Sequence, residues 1–187
     1  MKSPVMLHYL DQVSSTRFGP NENYAPELLE LHTVGFDGGY TQKDVAELAR
    51  VLTGWSVDGD GKFLYRANNN DFGAKSCFGM TFPARTPVCS GQSGIDEGEA
   101  FGEMLVNHLG TKRLIATKLL QWFVRSDPTQ AQIQAVIHAY TATGGDIKAM
   151  LRVVLTPANL AKAPARLKRP IHYVASALRA TSATVLP

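Results

Sequence analysis

Long apolar runs are missing from this sequence: no stretch approaches the roughly 18 consecutive apolar residues that a membrane helix needs. The opening segment Met1–Leu10 is too short an apolar run for a signal peptide, and Pro4 and His8 interrupt it. The chain carries no phosphate-cradling P-loop, no G-x-G-x-x-G, no H-E-x-x-H and no G-x-S-x-G, and no haem signature. Gly91-Gln92-Ser93-Gly94 misses the last of these by spacing. Nucleotide enzymes, zincins and α/β-hydrolases lose their usual marks with these motifs. Cysteine is scarce too. Cys77 and Cys89 stand twelve positions apart, which is neither a C-x-x-C redox pair nor enough for a zinc site. In an oxidising compartment they can close a loop as a disulfide; in a reducing one they are two thiols.

What is present suits a folded core. Of 187 residues, 44% are hydrophobic and 19% charged, and the length fits one domain over 1–187 better than two. The net charge of +3 conceals an asymmetry. Residues 1–110 hold 8 Lys and Arg against 14 Asp and Glu, and residues 111–187 hold 11 against 2. Two readings stand: a basic surface for an anionic partner, and two halves that neutralise one another.

Helical spacing dominates the chain. A short helix fits 5–13, ended by Ser14-Ser15-Thr16 and Gly19-Pro20. Asn21 and Asn23 offer caps for a second, with Tyr24, Leu28 and Leu31 at i, i+4, i+7. His32 falls on that apolar side, so a buried, hydrogen-bonded histidine is expected there. Thr41 and Asp44 form a capping box for a helix from Gln42 whose stripe is Val45, Leu48, Ala49 and Leu52. Later stripes are Phe101, Met104 and Leu105; Ile115, Leu119, Trp122 and Phe123; Ile133, Val136, Ile137 and Tyr140. Two more follow: Ile147, Met150, Leu151, Val154 and Leu155, then Ile171, Val174, Ala175 and Leu178. Thr111, Asp127-Pro128 and Asp146 read as the caps of the middle three.

Residues 56–94 lose this period and fill with Gly, Asn, Asp and Pro. Lys62–Arg66 and Ser76–Met80 read as short strands around Asn68–Asp71. The expected fold is therefore mainly α, an irregular multi-helix bundle, with a small β-ribbon or long loop around residues 60–85 inserted in it. Long irregular segments in compact domains tend to carry function, which directs attention to this insertion.

Three polar constellations offer chemistry. Asn23, Glu27 and Glu30 share a helical face beside Glu22, and carboxylates so placed can hold a cation or exchange protons, or simply be a solvated face. Asn70–Lys75 supplies Asp71 in what is equally a plain turn, and Asn107-His108 places an imidazole at a helix end. Aromatics do not alternate with Lys and Arg as in a nucleic-acid platform, so no nucleic-acid partner is expected.

The segments Pro20–Thr33, Gly39–Val45, Ala49-Arg50 and Leu52–Trp55 are similar to the most recognisable stretches of the bacterial domain of unknown function 1800 family. The likeness continues through Ile115–Leu119, Gly145–Ile147 and Leu167–Pro170. It implies that the chain is the C-terminal portion of a longer family domain. It also implies a periplasmic or secreted location, since many members carry export signals. It implies no mechanism. Three positions depart from the family pattern: Pro26 stands where Arg is usual, Asn70 where His is usual, and Leu109 where Pro follows His108.

Three functions compete. The first is a non-catalytic helical module that binds a partner or contributes structurally. Its partner is another protein, the family's N-terminal region, or a second copy covering apolar surface. The second is a metal-assisted hydrolase using Glu22, Glu27, Glu30, Asp44, Asp71 and His108, with a divalent cation on Glu27, Glu30 and Asp71. The third is an anion-binding surface on the basic half, with Lys112, Arg113, Lys168 and Arg169 as its cations.

Overall fold

The computed structural model describes residues 1–86, 94–165 and 167–183. Its backbone falls into two compact units, Met1–Thr117 and Lys118–Pro187. The fold is mainly α with two small two-stranded antiparallel ribbons. No helix among the described residues is long and apolar enough to cross a membrane.

The first unit opens with α1 (Pro4–Tyr9), whose proline sits in the first turn, where no N–H bond is lost. A left-handed Asp11 (φ 56°) then turns the chain into a 3₁₀ turn, Gln12–Ser14. Helix α2 (Tyr24–Glu27) runs directly into a π-helical turn over Leu28–His32. Here the structure corrects the sequence expectation. The wider turn rotates the face that follows, so Tyr24, Leu28, Leu29, Thr33 and Val34 go inward. Leu31 is 59% exposed and His32 is exposed with it, not buried.

Helix α3 (Gln42–Val51) starts where its capping box places it: Thr41 Oγ1 accepts from the Asp44 N–H, and Asp44 Oδ2 accepts from the Thr41 N–H. Val45, Leu48, Ala49 and Leu52 are all buried. The next segment departs from the expected pattern. Strand β1 (Trp55–Val57), missed in the sequence, pairs with β2 (Phe63–Tyr65), Trp55 opposite Tyr65. Ser76–Met80 is not one strand. Phe78 (φ 47°) and Gly79 (φ 82°) make a tight turn between β3 (Lys75–Cys77) and β4 (Met80–Phe82). Helix α4 (Ile95–Asn107) buries Glu97, Phe101 and Leu105. Leu7, Leu29, Leu48, Leu52, Trp55 and Phe101 lie among the fully buried side chains of this unit's core.

Helix α5 (Leu109–Phe123) begins two residues before the expected Thr111 cap; Thr111 Oγ1 instead donates to the Leu105 carbonyl at 2.6 Å. The helix buries Ala116 and Leu120, followed by Val124 just past its end, one step along from the expected stripe, and leaves Trp122 72% exposed. In the second unit α6 (Gln130–Thr143) is capped by Thr129 with Gln132, not by Asp127. It buries Ile133, Val136, Ile137 and Tyr140 as expected. Asp146 caps α7 (Ile147–Val154), of which Met150 and Val154 are buried and Ile147 exposed. An unexpected short helix, α8 (Pro157–Ala161), precedes α9 (Pro170–Ala180). Helix α9 exists as read, yet none of its residues is buried: Ile171, Val174 and Leu178 face outward.

Candidate functional site

A group of linked charges in the first unit gathers around the segment joining the two ribbons. Arg50, in the last turn of α3, donates from Nε to Asp71 Oδ2 at 2.7 Å and from Nη1 to Glu47 Oε1 at 2.7 Å. The second Asp71 oxygen accepts the Gly73 N–H at 2.8 Å, and the Asp71 N–H donates to Thr53 Oγ1 at 2.8 Å. One side chain thus ties the helix to the ribbon. Burial pushes the Asp71 carboxyl up, but Arg50, the Gly73 N–H and Lys75 outweigh it and hold it below the usual aspartate range. Glu47 is held down in the same way, against burial, by the Ser76 N–H and Arg50.

Beneath this layer lies an ion pair shut off from water. Strand β3 alternates, so Lys75 shares the inward face with Cys77. Its ammonium lies 3.0 Å from Glu97 Oε2, and the two side chains are 0% and 1% exposed. Lys75 also donates to the carbonyls of Asp71 and Gly73. Arg85 reaches the other Glu97 oxygen at 3.3 Å and grips Asp96 through both Nη atoms at 2.9 and 2.8 Å. Charges this deep persist only when each meets a partner. Tyr65 lies beside them, its hydroxyl pushed far up by burial and by the nearby Glu97 and Asp96.

The other sequence candidates are distributed elsewhere. Glu22 is exposed and accepts from Gln42 Nε2 at 3.2 Å. Glu27 and Glu30 are half-buried on α2 and the π turn, and Glu30 accepts a hydrogen bond from Tyr40, whose hydroxyl is raised by burial and by that carboxylate. Asp44 is engaged in the α3 cap and accepts the Phe78 N–H as well. Among the described residues no three His, Cys, Asp or Glu side chains form a group able to hold a metal ion; Glu27 and Glu30 do not join Asp71 in one. His108 sits between α4 and α5, its Nδ1 accepting the Gly110 N–H at 3.1 Å and its ring 5.2 Å from that of Phe78. It lines a cleft of about 740 Å³ with Asp37, Leu109, Arg113, Leu114 and Thr117. Lys112 and Arg113 lie near the start of α5, while Lys168 and Arg169 precede α9 in the second unit. The latter pair borders a smaller cleft with Trp122, Leu167 and His172.

Cys77 is buried and its thiol donates to the Asp44 carbonyl at 3.2 Å. Burial, with Asp44 and Glu47 nearby, pushes it up to about 12. Cys89, and with it the choice between a disulfide and two thiols, lies outside the described residues.

A family model described as protein of unknown function (DUF1800) matches residues 1–186. The chain belongs to that family. No curated protein and no solved structure matches it. In this DUF1800 chain Asn70 is wholly buried beside Asp71. Its Nδ2 donates to the Asp71 carbonyl at 3.3 Å, while Oδ1 has no partner among the described residues. Gly94 permits this packing: at φ 95° it takes the left-handed backbone, and a β-carbon there would lie 2.4 Å from Asn70 Nδ2.

Sequence reasoning reached Asp71 through turn chemistry but passed over Arg50, Lys75, Arg85 and Glu97. A signal existed. Glu97, Phe101 and Leu105 stand at i, i+4, i+8, so a carboxylate occupies an apolar stripe and demands a buried cation. Lys75 stands two residues before Cys77 in a strand, the same mark at period two.

Proposed function

We propose that this chain is a non-catalytic binding module. In this reading the charge network is the scaffold, and the cleft beside His108 receives the ligand. The observation that carries it is the state of Asp71. Both of its oxygens are taken by Arg50 and the Gly73 N–H, and the carboxylate is held ionised, so it serves as an anchor rather than a proton shuttle. Asp44 is likewise engaged in a cap, Glu22 precedes α2, and Glu27 and Glu30 stand on α2 and its π-helical extension. A hydrolase would need an imidazole or carboxylate converging on one cleft with a held cation. The test is turnover by the purified chain of p-nitrophenyl acetate and p-nitrophenyl phosphate with magnesium, manganese or zinc. No rate above buffer is expected. Turnover that Glu27→Gln or His108→Ala abolishes would overturn the reading in favour of the hydrolase.

A second reading, anion binding, draws on Arg113 and His108 lining the same cleft. Inorganic phosphate would then bind with an affinity that falls steeply with salt and is lost in Arg113→Ala. Salt-independent heat, or none, would dismiss it.

A further inference from the structure

The last stretch of the chain carries charge of one sign. Residues 147–187 hold seven Lys and Arg and no Asp or Glu. Lys168, Arg169 and Arg179 have no ion-pair partner among the described residues. Lys168 and Arg169 precede α9 at the positive end of its dipole, where cations weaken a helix, so the pair gains nothing from α9 itself. Cations clustered without acids raise the local concentration of anions.

Helix α9 also keeps its apolar side outward. Ile171, Val174 and Leu178 stand at i, i+3, i+7, and His172, Ser176 and Arg179 at i, i+4, i+7, so an apolar and a polar face run along the helix. Ile171 is 69% exposed and Val174 51%, while the half-buried residues of the helix are the small Ala175 and Ser176. Little of its apolar surface is therefore covered from within. Leu167 and Trp122, both exposed, border one cleft with Lys168, Arg169 and His172. Tyr173 is exposed as well. Aliphatic, aromatic and cationic side chains gathered on one amphipathic helix and its approach suit the boundary of an anionic bilayer.

Two rival occupants fit less well. A second copy of α9 would set the same cations against one another, with no acid in the segment to separate them. Three large apolar side chains on a helix of 11 residues are few for a stable protein interface, which buries about 800 Å² per partner. A bilayer needs no matching shape.

We propose that the α9 face docks on an anionic lipid bilayer. Ile171, Val174 and Leu178 enter the acyl boundary, and Lys168, Arg169 and Arg179 meet the headgroup phosphates. The proposal goes beyond the binding reading above. It concerns the second unit and is read on vesicles, without turnover or free phosphate, so either can fail while the other stands.

The experiment floats the full chain with vesicles of phosphatidylcholine, alone or with about 30% phosphatidylglycerol, at low salt. Binding to the anionic vesicles is expected, with affinity for the neutral ones about tenfold weaker or less, and a steep fall as NaCl rises to about 0.5 M. Val174→Asp places a charge in the apolar face at an exposed position and should weaken anionic-vesicle binding about tenfold, with the far-UV dichroism unchanged. Should that variant not fold, Ile171→Asp gives the same loss. Lys168→Glu with Arg169→Glu should weaken binding by a similar factor. Equal binding to both vesicles, or unchanged affinity in the folded apolar-face variant, would overturn the proposal. So would the absence of vesicle binding. A dimer that Val174→Asp breaks would in that case assign the face to a second copy, and a monomer would leave an acidic macromolecule as its occupant.

Discussion

At the scale of single residues, the Lys75–Glu97 pair and the Asp71 anchor govern how the first unit responds to change. Replacing one member of a buried ion pair leaves the other uncompensated, which costs about 3–5 kcal/mol. Glu97→Leu is therefore expected to lower stability by that amount in urea unfolding, and Lys75→Met with Glu97→Leu to recover most of it. Additive losses in the double variant would contradict the pairing. Asp71 and Glu47 give the pH dependence its sign. Their folded values are depressed despite burial, so the stability they add is complete above their unfolded values near 4 and disappears as pH falls through the folded values. Thermal unfolding followed from pH 7 downward should drop on the acid side, and Asp71→Asn should flatten that drop. Asp71 was legible because Asn and Asp mark turns. Its partners were not, because Arg50 lies 21 residues earlier and only folding brings it within 2.7 Å.

At the scale of elements, local chemistry and tertiary demand separate cleanly. Thr41 and Asp44 cap α3 through bonds within four residues of chain, so their role was readable before any fold was known. Thr41→Ala is expected to cost about 1 kcal/mol, measured by chemical denaturation, with little change elsewhere. The π turn after α2 was not readable. A spacing of 3.6 predicts Leu31 and His32 inward. A single wider turn shifts the following residues around the axis by about 100° each and sends Thr33 and Val34 in instead. The ribbons follow the same division. Phe78-Gly79 adopts positive φ at both positions, which a Gly alone only hints at, and β1 had no alternation to announce it because all three of its residues are buried.

At the scale of the whole molecule, the two units differ in charge and in how they use apolar residues. Met1–Thr117 holds 10 Lys and Arg against 14 Asp and Glu, and Lys118–Pro187 holds 9 against 2. Within the second unit the core is carried by Ile133, Val136, Ile137, Tyr140, Met150 and Val154, while the stripe of α9 is exposed. Met150→Ala should cost about 2–5 kcal/mol through the cavity it leaves. Leu178→Ala should stay within about 0.5 kcal/mol. Equal losses at the two positions in denaturant melts would refute this placement of the core.

The amino-acid order alone settled the helical character, the caps at Thr41 and Asp146 and the buried stripes of α3 and α6, because each depends on contacts within a few turns of one segment. Tertiary structure alone decided that Lys75, Glu97, Arg50 and Asp71 meet, that the faces of α5 and α9 turn as they do, and that the buried Trp55 ring packs against Gly98. Those outcomes depend on which distant segments share the interior, and the free energy of burying a charge or a donor is set by that company.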